Sequence, residues 1–234
     1  MDAPTVTLEQ HDAQGRPVLR CARRAGMLEG PLEQYADDGS LHVRAHYQAG
    51  KLHGPMTVHD ASGGLQQSCS YVGGRPHGVM KVFVDGRCAA QHQYVQGQLH
   101  GASVAFDAAG RPSARLHYRA GQLDGPCELL HEGRRIRLSH YRAGLLEGPS
   151  TDFTTDGAVM QTCTYRANLL HGPVRRYGPG GRLIEEVHYR LGVPVGAPQR
   201  PSASGAPGAP GASTGAAQSA PSTLERLLQI VRGD

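Results

Sequence analysis

A triplet of glycines returns along this chain at an almost constant interval, and that spacing limits the fold more than any other feature. The first glycine of a close pair falls at Gly26, Gly50, Gly74, Gly97, Gly121, Gly144 and Gly192, with Asn168 in the one remaining slot. Successive positions lie 23 or 24 residues apart. A second glycine follows four residues later, from Gly30 to Gly196, and a third precedes each first one by eleven residues, from Gly15 to Gly181. Asn tolerates the left-handed backbone region better than other non-glycine residues, so Asn168 indicates a conformational reason for the slot. A repeat of this length marks an array of supersecondary units that contact only their neighbours.

Turn chemistry and alternation divide each unit into two strands. In the second unit Pro55 to His59 reads as a short strand, Asp60-Ala61-Ser62-Gly63 as a turn, and Leu65 to Tyr71 as a longer strand with Leu65, Cys69 and Tyr71 on one face. Where the unit is one residue shorter the turn tightens to Asp85-Gly86 or Glu132-Gly133. Fixed register then aligns Tyr47, Tyr71, Tyr94, Tyr118, Tyr141, Tyr165 and Tyr189 in one column. A second aromatic column lies five residues after the second glycine, at Tyr35, Phe83, Phe106, Phe153 and Tyr177. The expected sheet has one aromatic and one polar face. A parallel β-helix is the rival for this period, but a tight Asp-Gly turn joining unequal strands favours antiparallel hairpins. About sixteen strands at ~4.8 Å spacing would extend roughly 75 Å before twist.

The unit Tyr-x-x-Gly-x-Leu-x-Gly-Pro, followed by a short strand, a Gly turn and the next Tyr, resembles the MORN repeat in its short bacterial form, the YwqK-type antitoxin family. The resemblance spans about residues 15 to 196. The Trp common in other MORN repeats is missing, and Val79 and Ala102 replace the Pro in two units. The family implies an all-β, elongated, single-layer antiparallel sheet of consecutive hairpins. It also implies a non-catalytic protein-binding role, that of an antitoxin or immunity protein occluding a toxin. MORN proteins elsewhere suggest two other roles, a homodimeric scaffold and a membrane-surface adaptor.

Composition agrees with an array. Aromatic residues make up 5% of the chain, Trp is absent and there are 32 glycines, too little bulk for one large core. A net charge of +4 spread along the chain is not the concentrated basic patch of a nucleic-acid binder. Five cysteines without a CxxC motif, three of them (Cys21, Cys69, Cys163) in one repeat position, read as small apolar fillers in a reducing compartment. Residues 1 to 10 show no secretory signal pattern and no stretch reaches the length of a membrane span, so a cytoplasmic location is expected. The thirteen histidines tempt a metal reading, but His53, His77, His100 and His171 share a slot that holds Glu29, Asp124 or Glu147 in other units. No catalytic constellation stands apart from the repeat, and no metal or cofactor is expected.

Three regions follow. Residues 1–196 form the array of about eight units, with an atypical first unit as a cap. Residues 197–222 form a Gly/Ala/Pro/Ser linker. In residues 223–234, Leu224, Leu227, Leu228 and Val231 fall at i, i+3, i+4 and i+7 behind a Ser222/Glu225 capping box, which predicts a short amphipathic helix. That helix needs a surface, on its own sheet or on another protein. The expected partner-contacting residues are the seven column tyrosines, Phe83, Phe106, Phe153, Leu224, Leu227, Leu228 and Val231. They serve at once as the sheet's thin core and as a docking surface.

Overall fold

The computed structural model describes residues 3–201; the expected linker begins inside it, its first three residues belonging to the strand Val193–Gln199, and the rest of the linker and the expected terminal helix lie outside the described residues. Twenty strands form one sheet. Each pairs antiparallel with its neighbour in sequence, from Thr5–His11 against Pro17–Arg24 to Leu183–Arg190 against Val193–Gln199. This is the consecutive-hairpin meander. Three strands are broken for one residue, at Asp124, Glu147 and His171, and resume on the same partner. Thr5–His11 adds a strand ahead of the first unit, and Val193–Gln199 runs past Gly196.

Two kinds of turn alternate. The first glycine closes a two-residue hairpin: Gln48 pairs with Lys51, and Ala49 and Gly50 between them have φ of +48° and +76°. Both residues are left-handed, as a type I′ turn requires, and this turn's twist matches that of the flanking strands. Alanine occupies the first turn position at 25, 49, 120, 143 and 167, where its Cβ is strained. Ala143→Gly is therefore expected to raise stability by about 0.5–1 kcal/mol, the left-handed strain outweighing the added chain entropy; a chemical-denaturation midpoint checks it. At the other end of the unit Asp60 Oδ1 accepts from the backbone N–H of Ser62 and of Gly64, both within 2.9 Å, and Gly63 N donates to Asp60 O. The shortened units use Asp85-Gly86 and Glu132-Gly133, whose positive φ values mark the tighter turn.

The second glycine lies inside a strand. Tyr47 pairs with Leu52 and Ala45 with Met56, so Gly54, at φ +94°, sits in a bulge. The short strand expected from Pro55 accordingly begins at Lys51. A second bulge follows the Asp turn: Val58 pairs with Gln67 and His59 with Leu65. It sets Leu65 opposite His59, out of the simple alternation expected with Cys69 and Tyr71.

Candidate interaction surfaces

The pairing registers carry continuous ladders across the sheet. On the tyrosine face a central column of compact residues runs through Cys21, Leu32, Ala45, Met56 and Cys69. It continues through Met80, His92, Ser103 and Leu116, then Cys127 and Ser139, and later Ser150 and Cys163. The tyrosines flank it. Each pairs across the type I′ hairpin with a leucine, as Tyr118 with Leu123 and Tyr141 with Leu146, or with a proline. Small residues below and large rings at the side let a single layer exclude water locally. Tyr118 is 6% exposed and packs in a cluster with Leu116, Leu123 and Cys127, against which Leu99, Leu129 and Tyr141 pack. The other six column tyrosines are half-buried.

A third ladder on this face changes character along the array. It reads Val43, Val58, Gln67 and Val82, then Ala90, Ala105 and Ala114, then Leu129, Arg137, Asp152, Gln161, Arg176 and Glu185. The tyrosine face is therefore apolar in the first half and charged at its far end. Arg137 Nη2 donates to Asp152 Oδ2 at 3.0 Å, and Arg176 Nη1 to Glu185 Oε2 at 3.1 Å.

The second aromatic column is on the opposite face, which corrects the division into one aromatic and one polar face. Gly30 pairs with Tyr47, and Tyr35 lies an odd number of residues beyond Gly30, so strand alternation turns its ring the other way. Tyr35 Oη donates to Glu33 Oε2 at 2.8 Å, and Glu33 belongs to a charged ladder on that second face. There Arg20 binds Glu9, Arg44 binds Glu33, Arg115 binds Glu128 and Arg175 binds Glu186. Phe83, Phe106 and Phe153 occupy the place of Tyr35 in their units and are half-buried. The ion-pair arginines are 43–62% exposed, so each pair stabilises little and mainly fixes register. Leu224, Leu227, Leu228 and Val231 lie outside the described residues.

The mixed His/acidic slot has a structural explanation. Glu29 Oε2 accepts from Ala49 N at 2.7 Å and Glu147 Oε2 from Ala167 N at 2.8 Å, so the side chain caps the type I′ turn of the following unit. Asp124 does the same for Ala143. Among the described residues no group of three or more His, Cys, Asp or Glu is arranged to hold a metal ion. The five cysteines are free, and burial pushes the Cys127 thiol up to about 11. His92 is 2% exposed with Nδ1 2.7 Å from Ser103 Oγ, and burial lowers its pKa. Sealed from solvent, the pair belongs to the central column of the sheet.

Sequence reasoning missed one surface feature. A cleft of about 640 Å³ opens at the turn edge beside the shortened unit, with Val84, Cys88, Ala89, Ala105 and Phe106 in its wall. The Asp85-Gly86 turn is one residue shorter, and Ala105 stands where Val58 and Val82 stand in earlier units. Arg87 spans it from the side, donating through Nη1 to Ala108 O at 2.6 Å. The signal was present in the sequence, as Ala89, Ala105 and Ala108 next to the 23-residue step.

No family model matches the chain, and no curated protein matches it. Among solved structures, a mutant TarM from S. aureus, in complex with Fondaparinux, alpha-GlcNAc-glycerol and UDP, is 9% identical with a TM-score of 0.21. A second TarM structure is 10% identical with a TM-score of 0.20. These matches cover 70% and 69% of this chain and 21% of each TarM chain. Similarity at that level carries no argument about fold or activity.

Proposed function

We propose that this chain is a non-catalytic protein-binding module that covers a protein partner with its sheet. Under the MORN resemblance the partner is a toxin, the site of action is the bacterial cytoplasm, and inhibition is by occlusion. The observation that carries the reading is the uncovered second face. Among the described residues no second layer packs on it, and the half-buried row of Tyr35, Phe83, Phe106, Phe153 and Tyr177 lies beside an ordered charged ladder. Aromatic anchors within a polar frame are the usual anatomy of a protein interface. Among the described residues no helix is long and apolar enough to cross a membrane.

The test is partner capture from the native cell with Phe106→Glu and Phe83→Glu variants beside the parent chain. Each charge placed at an anchor should weaken capture by about 30-fold, the effect of a 2 kcal/mol hot spot, while the β circular dichroism is unchanged. Capture that is indifferent to both substitutions would refute the assignment of this face.

A homodimeric scaffold is the second reading. It is favoured by the strand Thr5–His11, whose residues are all exposed and which contains no proline to block edge pairing. Light scattering showing a stable dimer and no captured partner would favour it over the first.

A further inference from the structure

We propose that the segment Leu224–Val231 docks on its own sheet, across the second face at Leu145, Leu169 and Val193. These three residues hold the same place in successive units, are 44%, 46% and 64% exposed, and pair directly with Arg142, Arg166 and Arg190. Among the described residues none of these three arginines has an ion-pair or hydrogen-bond partner, unlike the arginines of the neighbouring ladder. The result is an aliphatic stripe with a row of unneutralised cations beside it. Three such residues in successive units occur together at the end of the array from which the remaining chain departs. In the earlier units the same position is Met27, paired with an Arg24 whose Nε donates to Ala3 O, and then Lys51, Arg75, Gln98 and Gln122, so consecutive aliphatic residues beside unpaired arginines occur only in the last three of these units among the described residues.

The geometry of the segment suits the stripe. Equivalent residues of successive units are two strands apart, about 9.6 Å. Leu224 and Val231, seven residues apart on one helical face, are about 10.5 Å apart along the axis. A helix laid across the strands would thus set Leu224 and Val231 over adjacent stripe residues, with Leu227 and Leu228 between them. Glu225, bordering that face, supplies a carboxylate to the arginine row.

Reach fits as well. The last strand runs from Val193, at the stripe, to Gln199, about 20 Å along the chain direction. A flexible chain of the length and Gly/Ala/Pro/Ser composition of residues 202–222 would span on the order of 25 Å root-mean-square. A tether whose mean length matches the gap gives an effective concentration in the millimolar range, which offsets the marginal stability of so short a helix. With an intrinsic Kd of about 100 µM, roughly nine molecules in ten would be docked.

Methyl NMR of the full chain and of a full-length Leu227→Asp/Leu228→Asp variant tests this. Neither substitution falls in any of the described strands, and an unchanged β circular dichroism confirms that the sheet is intact in the variant. The Leu145, Leu169 and Val193 methyl signals should shift between the two proteins, equally at every protein concentration. Three results would overturn the proposal. One is unshifted methyls; another is a shift that disappears on dilution, which assigns the stripe to a second copy. The third is methyls that respond only to added anionic phospholipid vesicles, which assigns the stripe to a lipid surface.

Discussion

Tyr118→Ala is expected to cost about 3–5 kcal/mol, the range for truncating a buried aromatic ring, whereas Tyr189→Ala should cost less than half of that. The two residues occupy the same position in their units, so chemistry and local conformation are matched. They differ in cover. Tyr118 is 6% exposed at the centre of the cluster formed with Leu116, Leu123 and Cys127, while Tyr189 stands half-buried opposite Pro194 of a fully exposed strand. Because units of an array contact only their neighbours, the loss at Tyr118 should also split the unfolding transition, uncoupling the two halves of the sheet. Urea denaturation followed by circular dichroism and tyrosine fluorescence reads both effects. Equal losses along the column would mean that the tyrosines act independently and that no central core exists. The contrast also bears on binding, since Tyr118, buried among its neighbours, offers a partner little area, whereas the half-buried rings of its column and of the row containing Phe83 and Phe106 stay open to one.

The period, the Asp-Gly turns and the tyrosine column were legible because each is local: a glycine at φ +76° or an aspartate capping its own turn leaves a mark within four residues. The faces were harder to read. That Phe106 and Tyr118 point to opposite sides follows from one pairing, second glycine against the next tyrosine, as in Gly101 with Tyr118. With that pairing known, the odd offset from Gly101 to Phe106 decides the matter. Without it, Gly-x-Leu-x-Gly reads as a loop, although the residues from Gln98 to Phe106 form one bulged strand. Charge was legible as composition but not as arrangement. Arg137 finds Asp152 fifteen residues away, and Arg175 finds Glu186 eleven residues away, distances set by hairpin register and not by any helical or turn spacing. The Ala90, Ala105 and Ala114 stretch and the cleft beside it depend on the same long-range register.

Alkaline pH should destabilise the sheet through two phenols in particular. Burial, and then the neighbouring thiols Cys127 and Cys163 respectively, push Tyr141 and Tyr165 up to about 12. In the unfolded chain both titrate near 10. Between these values the unfolded state has released protons that the folded state still holds, so stability falls as pH rises; the contribution is whole below pH 10 and gone above about pH 12. Two pKa units correspond to about 2.7 kcal/mol for each ring, and since both rings are partly open to water, a combined loss of about 2–3 kcal/mol is expected. Phenolate absorbance should therefore show a late fraction rising together with unfolding, and Tyr141→Phe/Tyr165→Phe should flatten the alkaline limb while leaving the folded β signal at pH 7 in place. If all the phenolate absorbance instead appears by about pH 10.5 with the β signal intact, these rings are free in water. The small-residue column would then lack the cover that lets one layer of sheet act as its own core.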